Sequence, residues 1–183
     1  DGNATRANVL EQLGEAFYRT GDAEQGNRMY AEALRVWDGE AARLGSRGSA
    51  LALAHRGVLL DRLGRRPEAQ EAFIRATEAT PQSRELFATI LAHLVCGPPD
   101  ANLAEEVFRR AARQTTLTAE WKTYFALWVL AIGARAGAPV STEAQAVLQE
   151  VRAEEGWSGT LAQLELGTLS HEAAVAAASG KGQ

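Results

Sequence analysis

Histidine and cysteine are the residues of this chain whose spacing comes closest to that of a metal site. His93 and Cys96 are three residues apart, so both side chains can leave one helix on the same face. A structural zinc site needs four ligands, and neither His55 nor His171 stands at a matching spacing. We therefore interpret the pair as a buried cysteine beside a histidine at a helix end, and we expect no metal site.

Catalytic motifs are also missing from the sequence. His171 and Glu172 begin like the helix of a zinc protease, but no second histidine follows at the required position. We find no Gly-rich phosphate loop, no nucleophile elbow and no paired carboxylates. We expect a protein without catalytic residues, cofactor or enzymatic activity.

The elements that hold these residues are predicted to be helices. Of the 183 residues, 46% are hydrophobic, and apolar residues recur at i, i+3, i+4 and i+7, which is the helical period. The net charge of −4 disfavours nucleic acid as a partner, because phosphate binding needs a basic stripe. Arg65-Arg66 and Arg109-Arg110 are interpreted as solvated charges near helix ends. The most apolar run, 128–133, is far shorter than the roughly 20 residues of a membrane span.

Two stretches share one pattern, in which large apolar residues flank a small one and a small residue then stands four positions before an aromatic one. The first stretch carries it at Leu10, Leu13, Gly14, Phe17, Gly26, Tyr30 and Ala33. The second carries it at Leu53, Gly57, Leu60, Ala69, Phe73, Ala76 and Pro81. Small side chains allow two helices to approach closely, so we expect Gly14, Gly26, Gly57 and Ala69 to mark where paired helices nest.

Turn and cap residues separate the predicted helices. Gly21-Asp22 is a predicted turn, with Asp22 able to cap the helix that follows. Further along, either Ser141 or Thr142 can cap a helix. The extra residues 38–49 between the two stretches predict a lengthened second helix followed by a loose connection.

The repeated pattern resembles the tetratricopeptide repeat family over about residues 8–81. The resemblance implies an all-α fold, a right-handed superhelix (α-solenoid) of about five antiparallel helix pairs that stack because no pair buries its apolar face alone. It also implies a concave groove, lined by the first helices, that binds a protein or peptide. One solenoid is expected over residues 1–183, with hairpins at about 5–37, 50–81, 83–116, 118–154 and 157–179.

The same resemblance implies which side chains face the groove. By register they are Glu11, Glu15, Tyr18, Arg19, Val58, Asp61, Arg62, Glu85, Ala92 and Lys122, with Asn8, Leu51, Ala54, Ala88, Val95, Ala126 and Val129 beside them. One subgroup of the family grips a carboxylate with Lys, Asn and Arg, and the acidic residues here disfavour that ligand. An acidic N-terminal end favours a basic or amphipathic segment of a partner protein.

One predicted helix is strongly aromatic. Trp121, Tyr124 and Trp128 lie at i, i+3 and i+7, so we expect them to fill the core between hairpins. Phe125 lies off that face and is predicted to be exposed, which makes it a candidate contact for a partner.

The leading hypothesis is a non-enzymatic scaffold that binds a peptide or helix of a partner. The Ala, Arg and Gly bias of the chain indicates a bacterial source with a GC-rich genome. Two alternatives stay open: an effector-sensing module of a larger multidomain protein, and a lipoprotein-like envelope assembly factor that self-associates.

The region 157–183 is less polar than the helix that usually caps the end of a solenoid, so it is a candidate surface for a homodimer. The chain begins at Asp1, which leaves both a cytoplasmic and a periplasmic location open.

Overall fold

The computed structural model describes residues 2–48 and 50–179, with side chains for all of these except 44–48. Within this part of the chain, ten helices and no strands occur. The helices are α1 (Gly2–Arg19), α2 (Ala23–Gly48), α3 (Ala50–Arg62), α4 (Arg66–Ala79), α5 (Arg84–Cys96), α6 (Ala101–Ala112), α7 (Ala119–Ala136), α8 (Thr142–Val151), α9 (Trp157–Glu165) and α10 (His171–Ser179). The all-α prediction is confirmed for these residues, and the superhelical arrangement stays a prediction.

The chain divides into two compact units, which we call unit 1 (residues up to Ile90) and unit 2 (residues from Leu91 onward). The boundary lies within α5. In unit 1, α1 packs against α2, α2 against α3, and α3 against α4. In unit 2, α7 packs against α6, α8 and α9, and α9 also packs against α10. The single solenoid over 1–183 stays a prediction.

In unit 1, local sequence determines where the helices end. Gly21 has a φ of +87°, a left-handed conformation that ends α1 and that glycine adopts without strain. The side chain of Asp22 then accepts a hydrogen bond from the backbone N–H of Gln25 at 3.0 Å, as predicted for a cap. The lengthened α2 is also confirmed, but it continues to Gly48 and α3 begins at Ala50, so the predicted loose connection is wrong for the residues described.

The same close contact joins the helices of both hairpins in unit 1. A Cβ atom added to Gly14 would lie closer than 3.0 Å to ring carbons of Tyr30 on α2. A Cβ atom added to Gly57 would meet the ring of Phe73 on α4 in the same way. These rings occupy the space that the glycines leave, which confirms that both positions mark where paired helices nest. Ala69, also predicted to do so, is buried.

One packing residue was predicted wrongly in unit 1. Leu10 is buried, whereas Leu13 is 43% exposed and Phe17 is half-buried. Leu13 is exposed because α2 covers a different side of α1. It packs against α2 through Ala7, Leu10 and Gly14, and Leu13 lies about 100° around the helix from Gly14.

In unit 2, the aromatic prediction for α7 is reversed. Phe125 is fully buried (0% exposed), and Trp121, Tyr124 and Trp128 are only half-buried. The buried stripe of α7 runs through Phe125, Val129 and Ile132, at i, i+4 and i+7. The rings of Trp121 and Trp128 lie 5.6 and 5.7 Å from that of Phe125 and partly cover it. Phe125 is therefore a core residue rather than a contact for a partner.

Candidate protein-binding surface

Two helices of unit 1 bring together residues that the sequence predicts to face a ligand. Glu15 on α1 forms an ion pair with Arg62 on α3, and Arg19 on α1 lies 3.3 Å from the same carboxylate. Glu11 on α1 lies 3.3 Å from Nδ1 of His55 on α3. We call the surface formed by Glu11, Glu15, Arg19, His55 and Arg62 the α1–α3 surface.

Tyr30 on α2 connects this surface to the core. Its ring is 2% exposed, and its hydroxyl donates to Glu15 Oε2 at 3.2 Å. Arg62 donates to the same hydroxyl, and its guanidinium lies 5.2 Å from the centre of the ring. The hydrogen bond from Arg62 is the main cause that lowers the pKa of Glu15, whereas burial raises the pKa of Tyr30. The ion pair is thus held at a defined place by a buried residue.

Trp37 holds the second carboxylate of the surface. Its indole Nε1 donates to Oε1 of Glu11 at 2.9 Å. The ring of His55 stacks on the indole, with the ring centres 4.5 Å apart and the planes 9° apart. Trp37 was not among the residues predicted to face the groove. The available signal was helical spacing, since Trp37 follows Tyr30 at i+7 and so lies on the same face of α2.

The charges of the α1–α3 surface are nearly balanced. Each of its two glutamates has a partner: Arg62 and Arg19 for Glu15, and Trp37 and His55 for Glu11. The surface therefore carries two glutamates and two arginines, so Arg19 and Arg62 offset the acidic end that the sequence predicts. As a result, the surface charge no longer favours a basic partner at this place.

Tyr18 lies at the edge of the surface, against α2. Its ring stacks on that of Tyr30 at 5.5 Å and fills the space beside Gly26, where an added Cβ would clash with it. Its hydroxyl donates to Oδ1 of Asn27 at 2.6 Å. Tyr18 nevertheless remains 39% exposed, so it combines a fixed position with access to solvent.

The remaining predicted groove residues differ in how accessible they are. Those with exposed side chains are Asn8, Leu51 and Glu85, and those half-buried are Asp61, Ala88, Ala92, Val95 and Lys122. Those that are buried, so that their prediction as exposed ligand contacts is wrong here, are Ala54, Val58, Ala126 and Val129. Val58 is only 7% exposed because α3 is covered by both α2 and α4. Ala126 and Val129 are buried because α7 packs against three helices.

The histidine and cysteine side chains form no metal site within the described residues, where no three potential ligands of the types His, Cys, Asp and Glu come together. His93 is half-buried near the end of α5, and its carbonyl accepts from the N–H of Gly97 at 2.8 Å. Cys96 is exposed, so the prediction of a buried cysteine is wrong. Cys96 is the last residue of α5.

The arginine pairs and the C-terminal end complete the predicted features. Arg65 and Arg66 are exposed, as predicted, and Arg65 also pairs with Glu68 at 2.6 Å, whereas Arg109 and Arg110 are half-buried in ion pairs with Glu106. In the last helix, Val175 is 50% exposed, and the predicted homodimer through this end stays a prediction. None of the described helices is long and apolar enough to cross a membrane.

No protein-family model matches this chain, and neither does any curated protein. Membership of the tetratricopeptide repeat family therefore stays a prediction.

Proposed function

We propose that this chain is a helical-repeat protein that binds another protein or a peptide through the α1–α3 surface, and that it is not an enzyme. The observation that carries the proposal is the contact repeated in unit 1, where an aromatic ring of the second helix packs on a glycine of the first. In these two hairpins, α1 and α3 lie close enough for their side chains to form pairs. Adjacent first helices are the typical ligand-binding surface of stacked helical repeats.

The composition of the surface supports protein binding. Tyr18 and Arg19 are exposed, and tyrosine and arginine are enriched among the residues that dominate binding energy in interfaces. Leu51, 44% exposed on α3, adds an apolar contact. The ion pairs and ring stacks described above already order the polar side chains, so little conformational entropy is lost on binding.

The test is site-specific crosslinking in a lysate of the source cell. A photoreactive phenylalanine derivative replaces Arg19, and in a matched control it replaces Arg75 on α4. Both arginines are exposed (61% for Arg75, 78% for Arg19) and both lie near a glutamate one turn earlier, but only Arg19 belongs to the α1–α3 surface. We expect Arg19 to yield a specific crosslinked protein that the control does not.

Charge reversal in the purified complex then tests the same surface. We expect Arg19→Glu and Tyr18→Ala each to weaken binding of the captured protein by about tenfold or more, because residues of these types carry much of the energy of an interface. Arg75→Glu should leave binding unchanged. A partner that crosslinks equally from both positions, or that binds both surface variants as tightly as the unaltered protein, would refute the choice of surface.

A further inference from the structure

Unit 2 contains a cavity of about 380 Å³ that none of the predicted functions uses. Its walls come from the first half of α6, the second half of α7, the connection between α7 and α8, and the end of α9. All of these elements lie within unit 2, and α7 packs directly against α6, α8 and α9. The size is within the range of cavities that hold small ligands or single side chains of a partner.

The floor of the cavity is apolar. Val129, Leu130 and Gly133 of α7 line it, together with Pro139 of the following connection. Gly133 contributes no side chain, and a Cβ added there would have a single neighbour, the carbonyl oxygen of Pro139 at 4.0 Å. The missing side chain therefore leaves room that a larger residue would fill. Such a floor suits the methylene groups of a ligand.

The charges at the cavity are all negative among the described residues that line it. Glu105 on α6 is half-buried, and Glu165 at the end of α9 is exposed. Neither carboxylate has a hydrogen bond or ion pair within residues 2–48 and 50–179. In this they differ from the two glutamates of the α1–α3 surface, each of which has side-chain partners. No Lys, Arg or His is among the described lining residues.

One arginine on α6 and one on α7 are engaged elsewhere. Arg109 on α6 pairs with Glu106 at 2.9 Å and with Glu143 on α8 at 3.1 Å. Arg135 on α7 donates to the backbone carbonyl groups of Val95 and Gly97. Neither is therefore available to neutralise Glu105 or Glu165. The two carboxylates are left to bind a cation supplied from outside the chain.

We propose that this cavity binds an arginine or lysine side chain from a peptide segment of a partner protein. The methylene stem would lie on the floor formed by Leu130, Gly133 and Pro139, and the cationic head would pair with Glu105 and Glu165. Long basic side chains combine these two properties, an apolar stem and a charged tip. The proposal rests on the walls of this cavity and not on the α1–α3 surface, which lies in the other unit.

Short peptides test the proposal directly. The probes are fluorescent, acetylated pentapeptides Gly-Z-Arg-Z-Gly with Z as Leu, Val or Phe, each with a counterpart in which neutral citrulline replaces Arg. Binding to the full chain is measured by fluorescence anisotropy. We expect the arginine peptides to bind about tenfold more tightly than their citrulline counterparts, because hydrogen bonds between ionised groups are the stronger ones. The difference should shrink as salt is raised.

Variants of the cavity locate the binding. Glu105→Gln and Glu165→Gln should each reduce the preference for arginine several-fold, whereas Glu154→Gln, at an exposed glutamate outside the cavity, should not. Gly133→Leu should fill the floor and abolish binding of every peptide. Gly133→Ala controls for folding, since its added methyl group meets no atom closer than 4.0 Å.

Several results would overturn the proposal. They are equal binding of arginine and citrulline peptides, no binding by the folded protein, unchanged binding by Gly133→Leu, or an equal loss in Glu154→Gln. Failure here is distinguishable from failure of the α1–α3 surface. Crosslinking from Arg19 depends on unit 1, so it should persist in Gly133→Leu even when peptide binding is lost.

Discussion

Gly57→Ala should destabilise unit 1 relative to a Gly→Ala change at an exposed helical position, although alanine forms helices better than glycine does. In a helix interior, alanine is favoured over glycine by about 1 kcal/mol. The added Cβ at this position would lie closer than 3.0 Å to two ring carbons of Phe73, a ring that is only 1% exposed and has no room to move away. Overpacking of this kind costs about 1–3 kcal/mol, so we expect a net destabilisation of about 0–2 kcal/mol.

Gly39→Ala is the matched control in the same unit. Gly39 lies within α2, is exposed, and would have no atom within 4 Å of an added Cβ. This change should therefore stabilise the protein by about 1 kcal/mol through helix propensity alone. The free energies of unfolding of the two variants should differ by about 1–3 kcal/mol, which is the cost of the clash by itself.

Urea unfolding followed by far-ultraviolet circular dichroism measures these free energies. Because the chain has two compact units, hydrogen exchange of peptides from α3 and α4 should accompany it and place the change in unit 1. In a Phe73→Leu background the smaller side chain should relieve most of the clash, which a double-mutant cycle detects. If Gly57→Ala raises the urea midpoint as much as Gly39→Ala does, the two helices do not nest at this glycine and the reasoning is wrong.

Three further predictions concern the remaining contacts. Phe125→Ala should cost about 3–5 kcal/mol in thermal or urea unfolding, and Trp128→Ala clearly less, because only the phenylalanine is fully buried; equal costs would contradict the buried stripe of α7. Ser141→Ala should cost about 1 kcal/mol and Thr142→Ala little, since the Ser141 hydroxyl accepts from the N–H of Ala144 at 3.0 Å; the reverse order would show that the cap is misassigned. The pKa of Glu15 is lowered in the folded protein, so its contribution to stability is present above its ordinary value of 4.5 and is lost as the pH falls through the lowered pKa. Urea midpoints measured against pH should therefore show a smaller acid-side loss in Arg62→Ala than in the unaltered protein, and an unchanged loss would contradict the ion pair.

Local features of this protein were predictable from the sequence because they depend on residues a few positions apart. The helical period, the turn at Gly21 and the cap at Asp22 each involve one turn of chain. The nesting at Gly14 and Gly57 was also predictable, because a glycine within a helix that also carries large apolar residues indicates close approach of another helix. Ser141 and Thr142 could not be separated as caps, since both hydroxyls stand at usable positions and only the backbone conformation distinguishes them.

Burial and charge balance depended instead on which helices surround each side chain. Periodicity placed Trp121, Tyr124 and Trp128 on one face of α7, but it did not tell which face the neighbouring helices cover. The same uncertainty misplaced Val58, which two flanking helices bury.

The acidic surface was misjudged because Glu15 and Arg62 are 47 residues apart in the chain and become partners through the packing of α1 and α3 on α2. The cavity beside Glu105 and Glu165 follows from the same cause, since its walls belong to four segments that are separate in sequence. Helix formation is governed by near neighbours along the chain, whereas the environment of a side chain depends on contacts between distant segments, which a single sequence does not reveal.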